Sequence, residues 1–232
     1  MHGSLHHDPP HTPRSVLVRN RLGWVIAGLS VMLGVLATID GGSVLLVWDR
    51  PIQEWVVAHR TPSLEALFRA FSRMGSNIVV FAVFSVLVAL TARRCRTLTV
   101  ALAAAVLARP VFEYVVKEAV DRERPDLLRL IDGTGPSHPS GHVLAAVTLW
   151  GLLPPLVALI TDRRWLWWLA SAVAAVLIAG IAASRVYLGV HWFSDIVQGL
   201  LLGWLYLSLI EQLFAHHHRR GDCTLSRSAR GS

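Results

Sequence analysis

Residues 165–195 read "WLWWLASAVAAVLIAGIAASRVYLGVHWFSD". Residues 165–183 carry no charged side chain. A bilayer core needs about 20 apolar residues per crossing helix, so this run reads as a transmembrane helix. Directly after it stand Arg185, His191 and Asp195, at the junction with a second apolar run. Ionisable groups at membrane depth are costly and mark functional sites, so the stretch points both to a class of fold and to the place where chemistry is expected.

Five further apolar runs lie at 22–39, 77–92, 98–116, 143–160 and 191–214. Together the six predict an all-α, polytopic membrane protein with six transmembrane helices and both termini on one side. The whole composition agrees, since 53% of the 232 residues are hydrophobic and 16% charged, with a mean hydropathy of +0.50, outside the range of ordinary soluble domains. The expected organisation is a polar cytoplasmic lead at 1–21, a six-span domain at 22–214 and a basic cytoplasmic tail at 215–232. No small-residue cleavage site follows the first run, which therefore reads as a retained anchor. Pro154 and Pro155 fall inside the 143–160 run and predict a kink. Segment 41–76 is not a span. Within it Leu64, Leu67, Phe68 and Phe71 recur at helical spacing with Arg69 and Arg73 among them, the pattern of a short amphipathic helix lying in the interface. Such a helix serves as a lid, as a ramp by which lipid reaches the site, or as a packing cap.

The net charge of +7 rests on 21 arginines and one lysine, Lys117. Most of this charge falls in short loops, where it sets topology rather than offering a nucleic-acid surface, and no nucleic-acid partner is expected. With cytoplasmic termini, the inner loops and tails carry twelve basic residues and the outer segments nine, and basic residues concentrate inside. Segments 117–142 and 184–190 then face the extracytoplasmic side of a bacterial plasma membrane. Cys95 and Cys223 have neither the spacing nor the neighbours of a metal site or a redox pair, and no disulfide is expected. His216, His217 and His218 lack ligand partners at structural-site spacing and read as part of a solvated tail.

Three polar clusters need an explanation. In "KEAVDRERP" (117–125), Lys117 and Arg124 are seven residues apart, so both cations project from one face if the helix continues outward to Pro125. In "PSGH" (139–142), Ser140 is placed to cap the next helix and Gly141 permits close approach to the backbone, so free amides and the positive helix end face an anion. In "SRVYLGVHWFSD" (184–195), His191 and Asp195 are one helical turn apart. Fixed cations and amides stabilise the charge on a transferring phosphoryl group. A carboxylate-held histidine acts as base or nucleophile, and a second histidine is free to protonate the leaving oxygen.

These three segments resemble the signature of the type 2 phosphatidic acid phosphatase superfamily, whose site is shared with vanadium haloperoxidases and bacterial acid phosphatases. That signature is Lys, six residues, Arg-Pro; then Pro-Ser-Gly-His; then Ser-Arg, five residues, His, three residues, Asp. The chain matches it without departure from residue 117 to 195. The resemblance implies that His191 is the nucleophile forming a phosphohistidine, that Asp195 orients it, and that His142 is the general acid. It implies phosphoryl binding by Lys117, Arg124, Arg185, Ser140 and the Gly141 amide, with no metal ion and no cofactor. The expected substrate is a membrane lipid phosphate or diphosphate, polyprenyl diphosphate first by family habit, then phosphatidylglycerol phosphate or phosphatidate. The alternatives are a lipid phosphotransferase using the same phosphohistidine, or a non-catalytic lipid-binding or transport protein. No oligomeric state is indicated. Asp121, Glu123, Asp126 and Asp132 read as loop acids, solvated or paired with Arg122 and Arg129. His138 lacks a fixed partner, which argues against a catalytic role. Arg109 and Glu113, one turn apart in the 98–116 run, read as an ion pair facing the bundle interior or as a polar wall for a substrate headgroup.

Overall fold

The computed structural model describes residues 13–39 and 43–218. Its elements are α1 (Pro13–Thr38), α2 (Ser43–Ala58), α3 (Pro62–Met74), α4 (Asn77–Thr91), α5 (Arg96–Val120), α6 (Gly141–Trp150), α7 (Leu153–Ile160), α8 (Arg164–Tyr187) and α9 (Phe193–His218), with no strand among the described residues. The fold is all-α, as the apolar runs require. Four helical segments are long and apolar enough to cross a bilayer: α5, α6 with α7, α8, and α9 to Phe214. A fifth counts if α3 and α4, bent by 44°, are taken as one span. The apolar part of α1, Gly23–Thr38, is shorter. Four or five of the six expected crossings therefore stand on length and composition. Trp24, Ile78, Trp165 and Trp168 are exposed, as lipid-facing side chains are.

Local chemistry sets the helix boundaries. Thr61 caps α3 through its hydroxyl, which accepts from the Leu64 amide at 3.3 Å, with Pro62 in the first turn; proline there gives up no intrahelical bond. Segment 143–160 breaks between Trp150 and Leu153, with proline at the start of α7, the kink expected from Pro154 and Pro155. The helix α5 ends earlier than expected. Asp121 takes a left-handed conformation (φ 44°) and its amide donates to the Lys117 carbonyl at 2.8 Å, so Arg124 lies in an extended connection and not two helical turns beyond Lys117. Helix α2 was not read from the sequence at all, and α1 begins within the segment that composition assigns to the polar lead. Cys95 is buried and is not a free thiol, contrary to expectation, because spacing along the chain says nothing about which sulfurs meet in space. Cys223, residues 1–12 and most of the basic tail lie outside the described residues.

Two apolar clusters hold the bundle. The larger joins α4, α5, α6 and α9 through Phe84, Leu102, Ala145, Leu149, Leu207 and their neighbours. The smaller joins α6, α8 and α9 through Val143, Ala182, Val186 and Ile196, with Ile52 and Val56 of α2 packed against it. Between α6 and α9 the backbones approach closely because α9 presents Gly199 and Gly203. A Cβ at Gly203 would lie 2.7 Å from the Val147 Cβ, and one at Gly199 would lie 2.9 Å from the Ser140 carbonyl oxygen. Small residues one turn apart let membrane helices pack at such distances. This contact brings the start of α6 beside the start of α9, where the Ser140 amide donates to the Asp195 carbonyl at 3.1 Å.

Gly203→Val forces α6 away from α9. Overpacking of this kind costs about 1–3 kcal/mol, so thermal unfolding in detergent is expected to begin several degrees lower. An unchanged melting temperature would show that the two helices do not depend on this approach.

Candidate active site

The chain leaves α8 at Tyr187, turns through Gly189 in the left-handed region (φ +80°) and enters α9 at Phe193. A Cβ at Gly189 would press on the Arg129 Cα and the Leu128 carbonyl, each at 3.2 Å, so both the conformation and the space call for glycine. The turn is tied to the connection between α5 and α6 by the Leu130 amide, which donates to the Leu188 carbonyl at 3.0 Å. Arg60 adds a second tie, donating to the Tyr187 carbonyl at 3.0 Å and the Leu128 carbonyl at 2.6 Å. These links hold His191 and Asp195 against the segment that carries Arg124.

Asp195 is fully buried and accepts from three directions. Its Oδ2 takes the Trp192 amide at 2.9 Å, while Oδ1 takes Arg122 Nη1 at 2.9 Å and His138 Nδ1 at 3.0 Å. His191 Nδ1 stands 3.5 Å from Oδ2, longer than a formed hydrogen bond, and catalytic hydrogen bonds often tighten only when substrate binds. A proton on Nδ1, the nitrogen facing the carboxylate, leaves a lone pair on Nε2. Arg124 Nη1 lies 3.4 Å from that Nε2 and donates to the Val190 carbonyl at 2.7 Å. Burial pushes the His191 imidazole down to about 4, against the raising influence of Asp195. Burial also lowers Arg124, partly offset by Asp195.

The remaining expected residues sit around the start of α6. Ser140 occupies the cap position, but its hydroxyl makes no capping bond and is buried without a partner, free for another acceptor or donor. Arg185, in the last turn of α8, is buried and donates to the Ser72 hydroxyl of α3. His142 and Arg185 share a cavity of about 250 Å³ with that serine. Lys117 is held 3.2 Å from Glu113 Oε1, and Glu113 Oε2 accepts from Arg109 at 2.8 Å. The Glu113 carboxylate rests against Gly141, where an added Cβ would collide with it. Lys117 therefore reaches the start of α6 through Glu113. Arg109 and Glu113 do form the expected ion pair, and Arg109 also donates to Asn77 Oδ1 at 2.6 Å.

Several members of the site were not read from the sequence. Arg122 pairs with Asp49 Oδ2 of α2 at 2.8 Å and with Asp195, not with the neighbouring loop acids, and Arg129 donates to the Pro125 carbonyl at 2.8 Å. Asp49 also accepts from the Ser194 amide at 2.8 Å. His138 has the fixed partner that its sequence context did not reveal. Its place one residue before the Pro-Ser-Gly-His run was the available signal. For Arg122 and Asp49, 73 residues apart, no local signal existed.

Comparisons with known proteins bear on the family and the fold. The family model of the PAP2 superfamily matches residues 97–219. An undecaprenyl-diphosphatase of Sulfolobus acidocaldarius is 28% identical over 189 residues, covering 78% of this chain and 86% of that protein. Phosphatidylglycerophosphatase B of Bacillus subtilis is 32% identical over 101 residues, 42% of this chain and 48% of that protein. Among solved structures, the transmembrane PAP2 type phosphatidylglycerolphosphate phosphatase of Bacillus subtilis superposes with a TM-score of 0.73 at 21% identity, covering 84% of this chain and 96% of that one. Aquifex aeolicus LpxE gives 0.56 at 21% identity, covering 71% and 94%. The two structures bear on the fold alone.

Replacing Arg122 by Met strands two buried carboxylates, Asp49 and Asp195. Breaking a buried pair from one side costs about 3–5 kcal/mol, so Arg122→Met is expected to unfold at clearly lower temperature than the parent in detergent. A variant as stable as the parent would mean that this cluster does not hold α2 and α9 together.

Proposed function

The chain belongs to the PAP2 superfamily, and from that premise we propose an integral membrane lipid phosphatase that removes the terminal phosphate of a lipid phosphate or diphosphate through a phosphohistidine. The observation that carries this reading is the meeting, at one end of the bundle, of the His191–Asp195 pair with the start of α6 and its His142. Relatives named for undecaprenyl diphosphate and phosphatidylglycerophosphate support a lipid substrate, and the greater chain coverage of the first favours a polyprenyl diphosphate. The arginine distribution supports cytoplasmic termini and an extracytoplasmic site.

The chemistry follows from the geometry. His191 Nε2 attacks the terminal phosphorus while Asp195 holds the proton on Nδ1 and stabilises the charge that develops on the ring. Arg124 and Arg185, with Lys117, the Ser140 hydroxyl and the Gly141 amide, hold the phosphoryl oxygens at the positive end of α6. His142 gives its proton to the departing oxygen, then takes one from the water that hydrolyses the phosphohistidine. The cations are all supplied by side chains, so the reading calls on no metal ion.

The direct test is phosphate release from polyprenyl, glycerophospho- and sphingoid-base phosphates, with His191→Ala as the blank. Release by the parent and none by the variant is expected. Activity surviving in His191→Ala defeats the phosphohistidine, and transfer to an added alcohol with negligible free phosphate defeats the hydrolase. The pH dependence gives a second test. His191 attacks only when neutral, so kcat/KM is expected to fall as pH drops through about 4. Asp195 raises His191, so Asp195→Asn should weaken turnover and move the acid limb to lower pH. A limb that moves upward contradicts the assigned pairing.

A further inference from the structure

The phosphate contacts described so far account for one phosphoryl group, yet the cavity that holds His142 and Arg185 is also lined by α3. On the α3 side its wall is Arg69, Ser72, Arg73 and Ser76, spaced i, i+3, i+4, i+7 and so forming one face of the helix and its C-terminal cap region. Arg69 is half-buried, paired with Glu65 at 2.7 Å and donating to the Leu130 carbonyl at 2.9 Å, which fixes its guanidinium at the rim. The Arg73 side chain has no ion pair or hydrogen bond among the described residues, its backbone carbonyl accepting from the Ser76 amide at 3.1 Å. The cavity's other charged or titratable groups are Arg185, His142 and the exposed Asp132. Three cations thus face one carboxylate in about 250 Å³, the volume of roughly eight liquid waters and more than a single phosphoryl group fills.

We propose that this face of α3 is a second phosphate subsite, which takes the lipid-proximal phosphate of a diphosphate substrate. The inference rests on the phosphatase reading and deepens it. His142 lines the same cavity as Arg69 and Arg73, where an acid could protonate the oxygen that bridges the two phosphates. His191 Nε2 bonds to the terminal phosphorus, and the bond from that phosphorus to the bridging oxygen breaks. The bridging oxygen keeps the electron pair and takes the proton from His142. The product left in the α3 cavity is a lipid monophosphate whose new charge faces Arg73 and Arg69. Water then adds to the phosphohistidine, returns a proton to His142 and releases inorganic phosphate. A lipid monophosphate substrate would leave an uncharged alcohol there and gain nothing from either arginine. The amphipathic helix read from the sequence as a lid, ramp or cap thereby acquires a part in selecting the headgroup.

The test uses the full-length protein in detergent with farnesyl diphosphate and farnesyl monophosphate, which share a tail and differ only in the second phosphate. The quantity read is the ratio of kcat/KM for the two. Arg73→Gln is expected to lower that ratio about tenfold, the worth of one charge-assisted contact, and Arg73→Lys to restore part of it. Because Arg73 is exposed and unpaired, the melting temperature should not move. A ratio within about twofold of the parent's in Arg73→Gln, or a parent that hydrolyses the monophosphate but ignores the diphosphate, overturns the subsite and leaves the phosphatase reading standing. A parent that releases phosphate from neither, and from no other lipid phosphate, overturns both.

Discussion

The site end of the molecule depends on the burial of one carboxylate. Asp195 is removed from solvent at the start of α9, and a buried charge is tolerated only when paired and hydrogen-bonded. Its partners come from distant parts of the chain: Arg122 and His138 from the connection between α5 and α6, Trp192 from the turn before α9. Satisfying the charge therefore folds the 121–140 connection down onto the turn. Arg122 in turn needs Asp49, which brings α2 over the same end. The same carboxylate faces Nδ1 of His191 at 3.5 Å. One desolvated charge assembles the loops and, in the proposed mechanism, sets the tautomer of the attacking histidine.

The apolar packing supplies the other half of the constraint. The glycines of α9 let α6 lie close enough for the Ser140 amide to reach the Asp195 carbonyl, so the start of α6 is tied to the start of α9 and to the His191–Asp195 pair. The candidate phosphate-binding residues are thus positioned largely by helices, Lys117 on α5, Gly141 on α6 and Arg185 on α8, while the connection between α5 and α6 adds Arg124. Rigid elements hold catalytic geometry more tightly than loops do. The turn at Gly189 is pinned by Leu130 and Arg60 for the same reason.

What was legible in the sequence follows from the range of the physics involved. The apolar runs announce helices because hydrophobic length is a local property, and the kink at Pro154 and Pro155 is equally local. His191 with Asp195, and Ser140 with Gly141 and His142, were legible because their spacing fits one turn or one cap. The Lys117 to Arg124 spacing misled, since it assumed that α5 continues where Asp121 in fact ends it. Arg122 looked like a loop charge among loop acids, and only folding shows that its partners are Asp49 and Asp195. His138 was discounted for want of a partner that lies 57 residues away. Helix α2, with Asp49, Arg50, Gln53 and Glu54 among its apolar residues and Pro51 inside it, gave no clean period. Its buried Asp49 and Gln53 face the site end of the bundle, where polar groups have partners.

The charges of the site, taken together, explain why its cations are not all free. Asp49, Arg122 and Asp195 form a cluster with one net negative charge, and Arg109, Glu113 and Lys117 form another with one net positive charge. These two offset each other. Half-buried Arg124 and buried Arg185 remain without a carboxylate partner, and Arg73 adds an exposed cation at the same cavity. On the proposed reading a phosphate ester, with about −1.5 to −2 charges at neutral pH, would offset the two more buried cations, and desolvated charge is less costly when paired. Glu113 matters to this balance. Without it the surplus would rise by one positive charge. The carboxylate against Gly141 thus lowers the positive charge at the start of α6, the helix end to which the proposed mechanism assigns the phosphoryl group.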